Sequence, residues 1–190
     1  MSEFWTVYKE GTRDPKRAYR FVLQIPGFSD GSTGGYVWWV KKVNKPSLTI
    51  TEATHKYLNH TFYYPGKVEW NTVTVSLVDP VDPDAASKVS LMLSEAGYKV
   101  PTAASGQDDF STISKAGAFA ALGDVYIIQI GADGSELEKW TLKQAWIKDI
   151  KYGDLDYDGD DHTVVDVEFR YDWAVLETLT DGQKYFSTEG

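Results

Sequence analysis

Hydrophobic and polar residues alternate along several short segments of the chain, a pattern that is typical of half-buried β-strands. The alternation is clearest from Tyr19 to Ile25, from Lys67 to Val78 and from Thr163 to Trp173. Further segments rich in strand-forming residues are 36–43, 48–51, 125–130, 135–142 and 146–150. The pattern as a whole predicts roughly seven strands in one domain.

A helical pattern stands out in one place, between about residues 83 and 96. Asp82 is the predicted N-cap, Pro83 occupies the first helical position, and Gly97 follows the last turn. One apolar face is formed by Ala85, Ala86, Val89, Met92, Leu93 and Ala96. The Ala-, Ser- and Gly-rich stretch that follows indicates only a short helical turn between Asp109 and Lys115.

These elements predict a mainly β fold, a β-sandwich or barrel with one flanking α-helix. The β domain is expected to span residues 19–176, between an N-terminal segment of residues 1–18 and an exposed C-terminal tail of residues 177–190. Residues 52–66 mix polar and aromatic side chains without a clear period, and the protruding segment around them is expected to span about residues 47–66. We interpret them as a long loop or a protruding hairpin.

Composition limits the kinds of function. The chain contains no cysteine, which excludes disulfides, thiolate metal sites and a cysteine nucleophile. A net charge of −9 argues against a basic surface that reads duplex DNA. No run of about 18 apolar residues occurs, so no membrane span is expected. The N-terminus also lacks the pattern of a signal peptide.

One acidic motif is a candidate metal site. Asp154, Asp156 and Asp158 begin a D-x-D-x-D-G sequence that resembles a calcium-binding loop. The twelfth position of such a loop should carry a bidentate Glu, but here it is Val165. Predicted strands rather than helices also flank the motif. An acidic hairpin turn is therefore the favoured interpretation, and calcium binding is the alternative.

Signatures of catalysis are missing from the sequence. The 3 histidines, His55, His60 and His162, lack the neighbours that would complete a metal-ligand set. No nucleophile elbow and no Gly-rich phosphate loop occurs. We therefore expect a protein that is not an enzyme and that needs no cofactor.

Aromatic residues make up 14% of the chain, and their positions suggest contact surfaces. Trp38 and Trp39 are adjacent in a predicted strand, so they must face opposite sides of the sheet. The predicted oligomer interface consists of Trp38, Trp39, Tyr57, Phe62, Tyr63 and Tyr64. Burial against another subunit is favoured over a sheet packed on both faces. A carbohydrate-binding β-sandwich module with an aromatic platform is the alternative from another functional class.

Several motifs occur in an order that is itself informative. They are YRFVLQI (19–25), VNKPS (43–47), YPGKVEWNTVTV (64–75), WTLKQAWI (140–147), GDLDY (153–157) and VEFRYDW (167–173). Over about residues 17–177, their order resembles that of the tail tube proteins of contractile-tailed bacteriophages, which are related to type VI secretion tube proteins. The Gly-rich residues 30–35 and the tail after Leu176 depart from that pattern.

The resemblance implies a structural subunit that closes into hexameric rings, which stack into a hollow tube inside a contractile sheath. Its partners would be copies of itself, the tail sheath protein, the baseplate and tail terminator proteins, and the tape measure protein. DNA would later pass through the lumen without sequence-specific binding. Such a protein is assembled in the host cytoplasm and resides in the tail of the virion. A tube subunit of a type VI secretion or extracellular contractile injection system is the nearest alternative.

Two segments acquire expected roles from this resemblance. Residues 47–66 are expected at the ring-to-ring contact, because an aromatic protrusion between two strands suits stacking. The acidic turn from Asp154 to Asp161, together with the negative net charge, would reduce the sticking of DNA in the bore.

Overall fold

The computed structural model describes residues 15–29, 34–100, 111–178 and 182–187. Within these ranges lie twelve β-strands: β1 Phe21–Gln24, β2 Tyr36–Val37, β3 Val40–Val43, β4 Leu48–Tyr57, β5 His60–Trp70, β6 Val73–Val78, β7 Val125–Ile130, β8 Glu136–Lys143, β9 Trp146–Lys151, β10 Val164–Arg170, β11 Trp173–Thr178 and β12 Gln183–Tyr185. The same ranges contain two α-helices, α1 Ala85–Glu95 and α2 Lys115–Leu122, and a 3₁₀ turn at Pro26–Phe28. The mainly β prediction is confirmed.

The strands form two antiparallel sheets and a separate hairpin. One sheet has the order β12-β11-β8-β7-β1-β2, the other has the order β3-β6-β10-β9, and β4 pairs with β5 alone. The predicted alternation now has a structural cause, because every second side chain of the strands points into the space between the sheets. The fully buried core includes Leu23, Ile25, Val73, Val75, Leu77, Val165, Val167 and Phe169.

The predicted strand from Thr163 to Trp173 is in fact two strands in different sheets. β10 ends at Arg170, and β11 begins at Trp173 and pairs with β8 of the opposite sheet. Tyr171 is buried at the corner, and the Asp172 N–H donates to the Lys143 carbonyl at 3.1 Å. The alternation continues through the corner because Tyr171 fills the space between the sheets, so the sequence pattern does not reveal the break.

Three other predicted strand or segment bounds differ from the structure. A turn at Trp38 and Trp39 divides the predicted strand 36–43 into β2 of the larger sheet and β3 of the smaller one. The segment from Lys67 to Val78 is interrupted at Asn71 and Thr72, which separate β5 from β6. The predicted C-terminal tail contributes Glu177 and Thr178 to β11, and β12 then pairs with β11 through Leu176 and Tyr185. Its residues 179–181 and 188–190 lie outside the described residues, as do residues 1–14 of the predicted N-terminal segment.

Helix α1 begins two residues later than predicted. Asp82–Pro83 is a cis peptide, and Asp84 is the N-cap, whose Oδ1 accepts a hydrogen bond from the Ser87 N–H at 2.9 Å. Asp79 Oδ1 accepts from the N–H of Ala85 at 3.0 Å, so a second carboxylate satisfies the exposed helix end. Gly97 follows the helix with a φ of 108°, as predicted.

The second helix, α2, corrects the expectation of one flanking helix. Ser114 caps it, because its Oγ accepts a hydrogen bond from the Gly117 N–H at 3.0 Å, and Gly123 ends it with a φ of 73°. Its sequence, KAGAFAAL, consists largely of small and apolar residues. No polar face contrasts with an apolar one, so the helical period is invisible in the sequence.

Candidate assembly surfaces

The β4–β5 hairpin has no third strand among the described residues. Its strands pair from Leu48 opposite Trp70 to Tyr57 opposite His60, and all ten residues of β4 are exposed. A two-stranded hairpin is marginally stable by itself, because no further strand or helix covers it. Residues 47–66 are predicted from the sequence to form a long loop or a protruding hairpin. The structure shows a hairpin, and it extends beyond the predicted bounds to Trp70.

Aromatic side chains cover the outer half of this hairpin. The strand register places Tyr57, Phe62 and Tyr64 on one face, because Tyr57 lies opposite His60, and His60, Phe62 and Tyr64 follow one another at two-residue spacing along β5. The His60 and Phe62 rings meet edge to face, with centroids 4.7 Å apart. Tyr63 lies opposite Thr54 and belongs to the other face. All four predicted aromatic residues are thus exposed in the subunit.

The inner half of the hairpin opens onto an apolar groove. Its volume is about 550 Å³, and it is lined by Leu48, Ile50, Val68, Trp70, Trp173 and Phe186. The Trp70 ring contacts the Phe186 ring edge to face at 5.5 Å and the Tyr171 ring at 6.0 Å. The groove therefore joins the root of the hairpin to β11, through Trp173, and to Phe186, which follows β12.

Hydrogen bonds fix the two ends of the hairpin to each other. The Asn71 N–H donates to the Ser47 carbonyl at 2.8 Å, and its side-chain amide donates to Ser47 Oγ at 3.1 Å. A bulge lies farther out, where Thr51 Oγ1 accepts from the Lys67 N–H at 2.8 Å. A Cβ at Gly66 would lie 2.4 Å from Thr51 Oγ1, so only glycine fits there without a rearrangement.

Tyr171 lies under the same root. Burial of its hydroxyl raises the pKa of Tyr171 to about 12, because the ionised form is desolvated. The Arg170 charge and the Ser47 backbone act in the opposite direction without offsetting burial. The hydroxyl is enclosed near Ser47 but makes no well-formed hydrogen bond with the described residues.

A buried glutamate connects the hairpin root to the opposite sheet. Glu138 Oε1 accepts hydrogen bonds from Lys45 Nζ and from Trp140 Nε1, both at 2.7 Å. Its other oxygen accepts from Lys16 Nζ. Lys45 Nζ also donates to Gln129 Oε1 at 2.7 Å. Burial of the Glu138 carboxylate would raise its pKa, but hydrogen bonds from Lys16, Lys45 and Trp140 outweigh burial and lower the pKa from 4.5 to about 2.

The two adjacent tryptophans lie in the turn between β2 and β3, not within one strand as predicted, and they differ in burial. Trp38 is 71% exposed, whereas Trp39 is 5% exposed and packs on Phe28 with ring centroids 5.4 Å apart. Trp39 therefore belongs to the subunit core, which corrects its prediction as an interface residue. Trp38 remains a candidate for contact with another subunit.

The acidic motif forms an exposed connection between β9 and β10. Asp156 Oδ1 accepts a hydrogen bond from the Asp158 N–H at 3.1 Å, the geometry of an Asx turn. Asp154 is also exposed. In the described part of the chain, no three His, Cys, Asp or Glu side chains converge in a way that could hold a metal ion. The same part contains no helix that is long and apolar enough to cross a membrane.

No protein-family model and no curated protein sequence matches the chain. Solved structures do match it. A chain in the anti-feeding prophage (AFP) tube-terminating cap is 14% identical with a TM-score of 0.61, covering 94% of this chain and 99% of that one. A chain in the sheath/tube terminator of an extracellular contractile injection system, PVC, is 13% identical with a TM-score of 0.60, covering 88% and 100%. The AFP baseplate contains a third, 14% identical with a TM-score of 0.59, covering 88% and 99%. This is a tail tube fold.

The tail tube fold accounts for the resemblance seen in the sequence, but it does not identify the Glu138 cluster. That cluster leaves one signal in the sequence. Glu138, Trp140 and Leu142 alternate along β8, so the sequence places Glu138 on the same face as two apolar residues, and in the structure Glu138 and Leu142 are both buried. A buried carboxylate requires partners. Which lysines supply them depends on the packing of the two sheets.

Proposed function

We propose that this chain is a structural, non-catalytic subunit that assembles with copies of itself into stacked hexameric rings, the inner tube of a contractile tail. The observation that carries the proposal is the exposed aromatic hairpin on a subunit with a tail tube fold. Large exposed apolar patches on a folded protein mark surfaces that bind another molecule. We place the β4–β5 hairpin at the contact between successive rings.

The energetic argument starts from the face that carries Tyr57, Phe62 and Tyr64. These side chains are 64%, 44% and 55% exposed, and no strand or helix of the described residues packs over them. Burying most of such a side chain contributes roughly 1–2 kcal/mol. A contact between unlike surfaces repeats around a ring and from ring to ring, so even a modest gain for each subunit stabilises a long tube.

The proposal includes the partners of a contractile tail. The tail sheath protein would surround the tube, and baseplate and terminator proteins would cap its ends. The tape measure protein and then DNA would occupy the lumen without sequence-specific binding. Assembly would take place in the host cytoplasm and the finished tube would reside in the virion. The acidic Asp154–Asp161 connection would weaken DNA adhesion if it faces the lumen.

A second candidate is the tube of an extracellular contractile injection system. The similarity to chains from AFP and PVC particles favours it. The two candidates differ in cargo, so purification of the native particles separates them. DNA protected inside intact particles supports the phage tail, whereas protein cargo without DNA supports the injection device.

Self-assembly is tested with the purified protein by negative-stain microscopy and sedimentation. We expect rings with sixfold symmetry and tubes. Tyr57→Thr, Phe62→Thr and Tyr64→Thr combined should leave the unfolding midpoint of the subunit unchanged and abolish long tubes. The control has an equal number of exposed apolar residues replaced by Thr elsewhere, at Val81, Leu91 and Tyr98. A wild-type protein that stays monomeric at high concentration, or a hairpin variant that forms tubes of normal length, contradicts the proposal.

A further inference from the structure

Glu138 occupies a position from which it restrains two separate segments of the chain. It lies on β8 opposite Gln129 of β7, so the two side chains share one face of the larger sheet. Glu138 is 8% exposed and Gln129 is 9% exposed. On this face, Glu138 accepts a hydrogen bond from Lys16, which precedes β1. Glu138 and Gln129 each accept a hydrogen bond from Lys45.

Lys45 transmits this restraint to the hairpin through a short, stiff connection. Only Pro46 and Ser47 separate it from Leu48, the first residue of β4. Proline fixes its own φ and also restricts the residue before it to an extended backbone. Pro46 is itself buried. A fixed Lys45 ammonium group therefore limits the directions in which β4 can leave the body of the subunit.

The remaining hydrogen bonds of the root lead to the smaller sheet. Asn44, directly before Lys45, donates to the carbonyls of Thr72 and Thr74 and accepts from the Thr74 N–H through its Oδ1. Asn71 joins Ser47 to the start of β6, so it holds the two hairpin ends together without joining them to the larger sheet. On the β5 side, Trp70 packs against Phe186, which follows β12 of the larger sheet. The hairpin is thus held to the larger sheet by Lys45 just before β4, and by the apolar groove in which Trp70 at the end of β5 lies with Trp173 and Phe186.

From this geometry we infer that Glu138 is a positioning residue for assembly, which sets the direction of the β4–β5 hairpin by holding Lys45. The effect on assembly rests on the proposed function, because a hairpin that points in other directions would contact a neighbouring copy in the correct orientation less often. The structural part of the inference concerns the isolated subunit and can be tested separately.

The absence of cysteine allows the hairpin direction to be measured directly. Spin labels at Lys56→Cys on β4 and Leu91→Cys on α1 report one distance by pulsed electron paramagnetic resonance, after dilution into excess unlabelled protein. We expect a narrow distance distribution in the otherwise unchanged chain and a broad one with Glu138→Gln. Lys45→Met should broaden the distribution to the same extent, and the double variant should broaden it no further.

Two controls separate positioning from general loosening. Lys16→Met removes the other cation held by Glu138 and should leave the hairpin distance unchanged. Glu136→Gln changes an exposed glutamate on the same strand and should also have no effect. If the tie contributes about 1–2 kcal/mol, Glu138→Gln should reduce the apparent association constant of the subunit roughly 5- to 30-fold.

The outcomes distinguish this inference from the proposed function. An unchanged narrow distribution in Glu138→Gln, or equal broadening by Lys16→Met, overturns the positioning role whether or not tubes form. A broad distribution with normal tube assembly overturns the assembly consequence. If the distribution broadens but wild-type protein forms no rings, the structural restraint stands and the proposed function fails.

Discussion

Replacement of Glu138 by Gln tests the energetics of the fold, because it removes one buried charge and preserves the shape of the side chain. The Glu138 side chain is 10% exposed, and its pKa is lowered from 4.5 to about 2. At about 1.4 kcal/mol per pKa unit, this difference corresponds to about 3 kcal/mol of stability at neutral pH. Its partners Lys16 and Lys45 are 49% and 48% exposed. Water therefore screens the interaction, and we expect a loss of about 1–2 kcal/mol.

The pH dependence has a definite sign. Because folding lowers the pKa of Glu138, its stabilisation is complete above pH 4.5 and is lost as the pH falls toward about 2. In urea unfolding, the free energy of unfolding of wild type should therefore exceed that of Glu138→Gln most at neutral pH. This difference should shrink as the pH falls from 4.5 toward about 2. The exposed-site variant Glu136→Gln should stay within about 0.5 kcal/mol of wild type. Equal stability of Glu138→Gln and wild type at neutral pH, or a difference that grows in acid, would refute the reasoning.

Three further predictions use urea unfolding at neutral pH. Trp39→Ala should destabilise by about 3–5 kcal/mol, whereas Trp38→Ala should change stability by less than about 0.5 kcal/mol; similar losses would mean that their burial is misassigned. A Cβ at Gly27 would lie 2.3 Å from the Ala121 carbonyl oxygen, so Gly27→Ala should cost about 1–3 kcal/mol. Gly159→Ala, whose Cβ meets only the Asp156 Cβ at 3.9 Å, should be close to neutral, and equal costs at both glycines contradict the clash. Tyr171→Phe should be neutral or stabilising by up to about 1 kcal/mol, because it removes a buried hydroxyl without a good partner; a clear loss would reveal a hydrogen bond there.

The strands of the two sheets could be predicted because the subunit itself buries one of their faces. In β6, Val73, Val75 and Leu77 are fully buried, while Thr74 between them is exposed. This environment imposes a period of two residues on the sequence. The same physical reason explains the failure at Tyr171, where the chain changes sheets while the side chains continue to alternate. A period reports which side of a strand is buried, and it does not report the sheet to which the strand belongs.

The long-range contacts of the candidate site could not be predicted from the sequence. The alternation along β8 places Glu138 on the same face as apolar residues, whereas the different burial of Trp38 and Trp39 arises in a turn and does not follow from alternation along a strand. The sequence separation between Lys45 and Glu138 is 93 residues, and no local pattern indicates that these two side chains meet. The meeting depends on how the connection before β4 packs over the larger sheet, which is a property of the whole fold.

The outer half of the hairpin had no visible period because the described residues bury neither of its faces there. Tyr57, Phe62 and Tyr64 are exposed on one face, and Tyr63 is exposed on the other. When both faces of a hairpin are exposed to solvent, its sequence need not alternate between polar and apolar residues. Burial within the subunit therefore does not explain why aromatic residues lie on both faces. Contact with neighbouring copies on either side of the hairpin would explain it, since each face would then lie in an interface. On that argument, Tyr63→Thr alone should weaken assembly without changing subunit stability, and sedimentation should detect the loss. Unchanged assembly of this variant would restrict the contact to the face of Phe62.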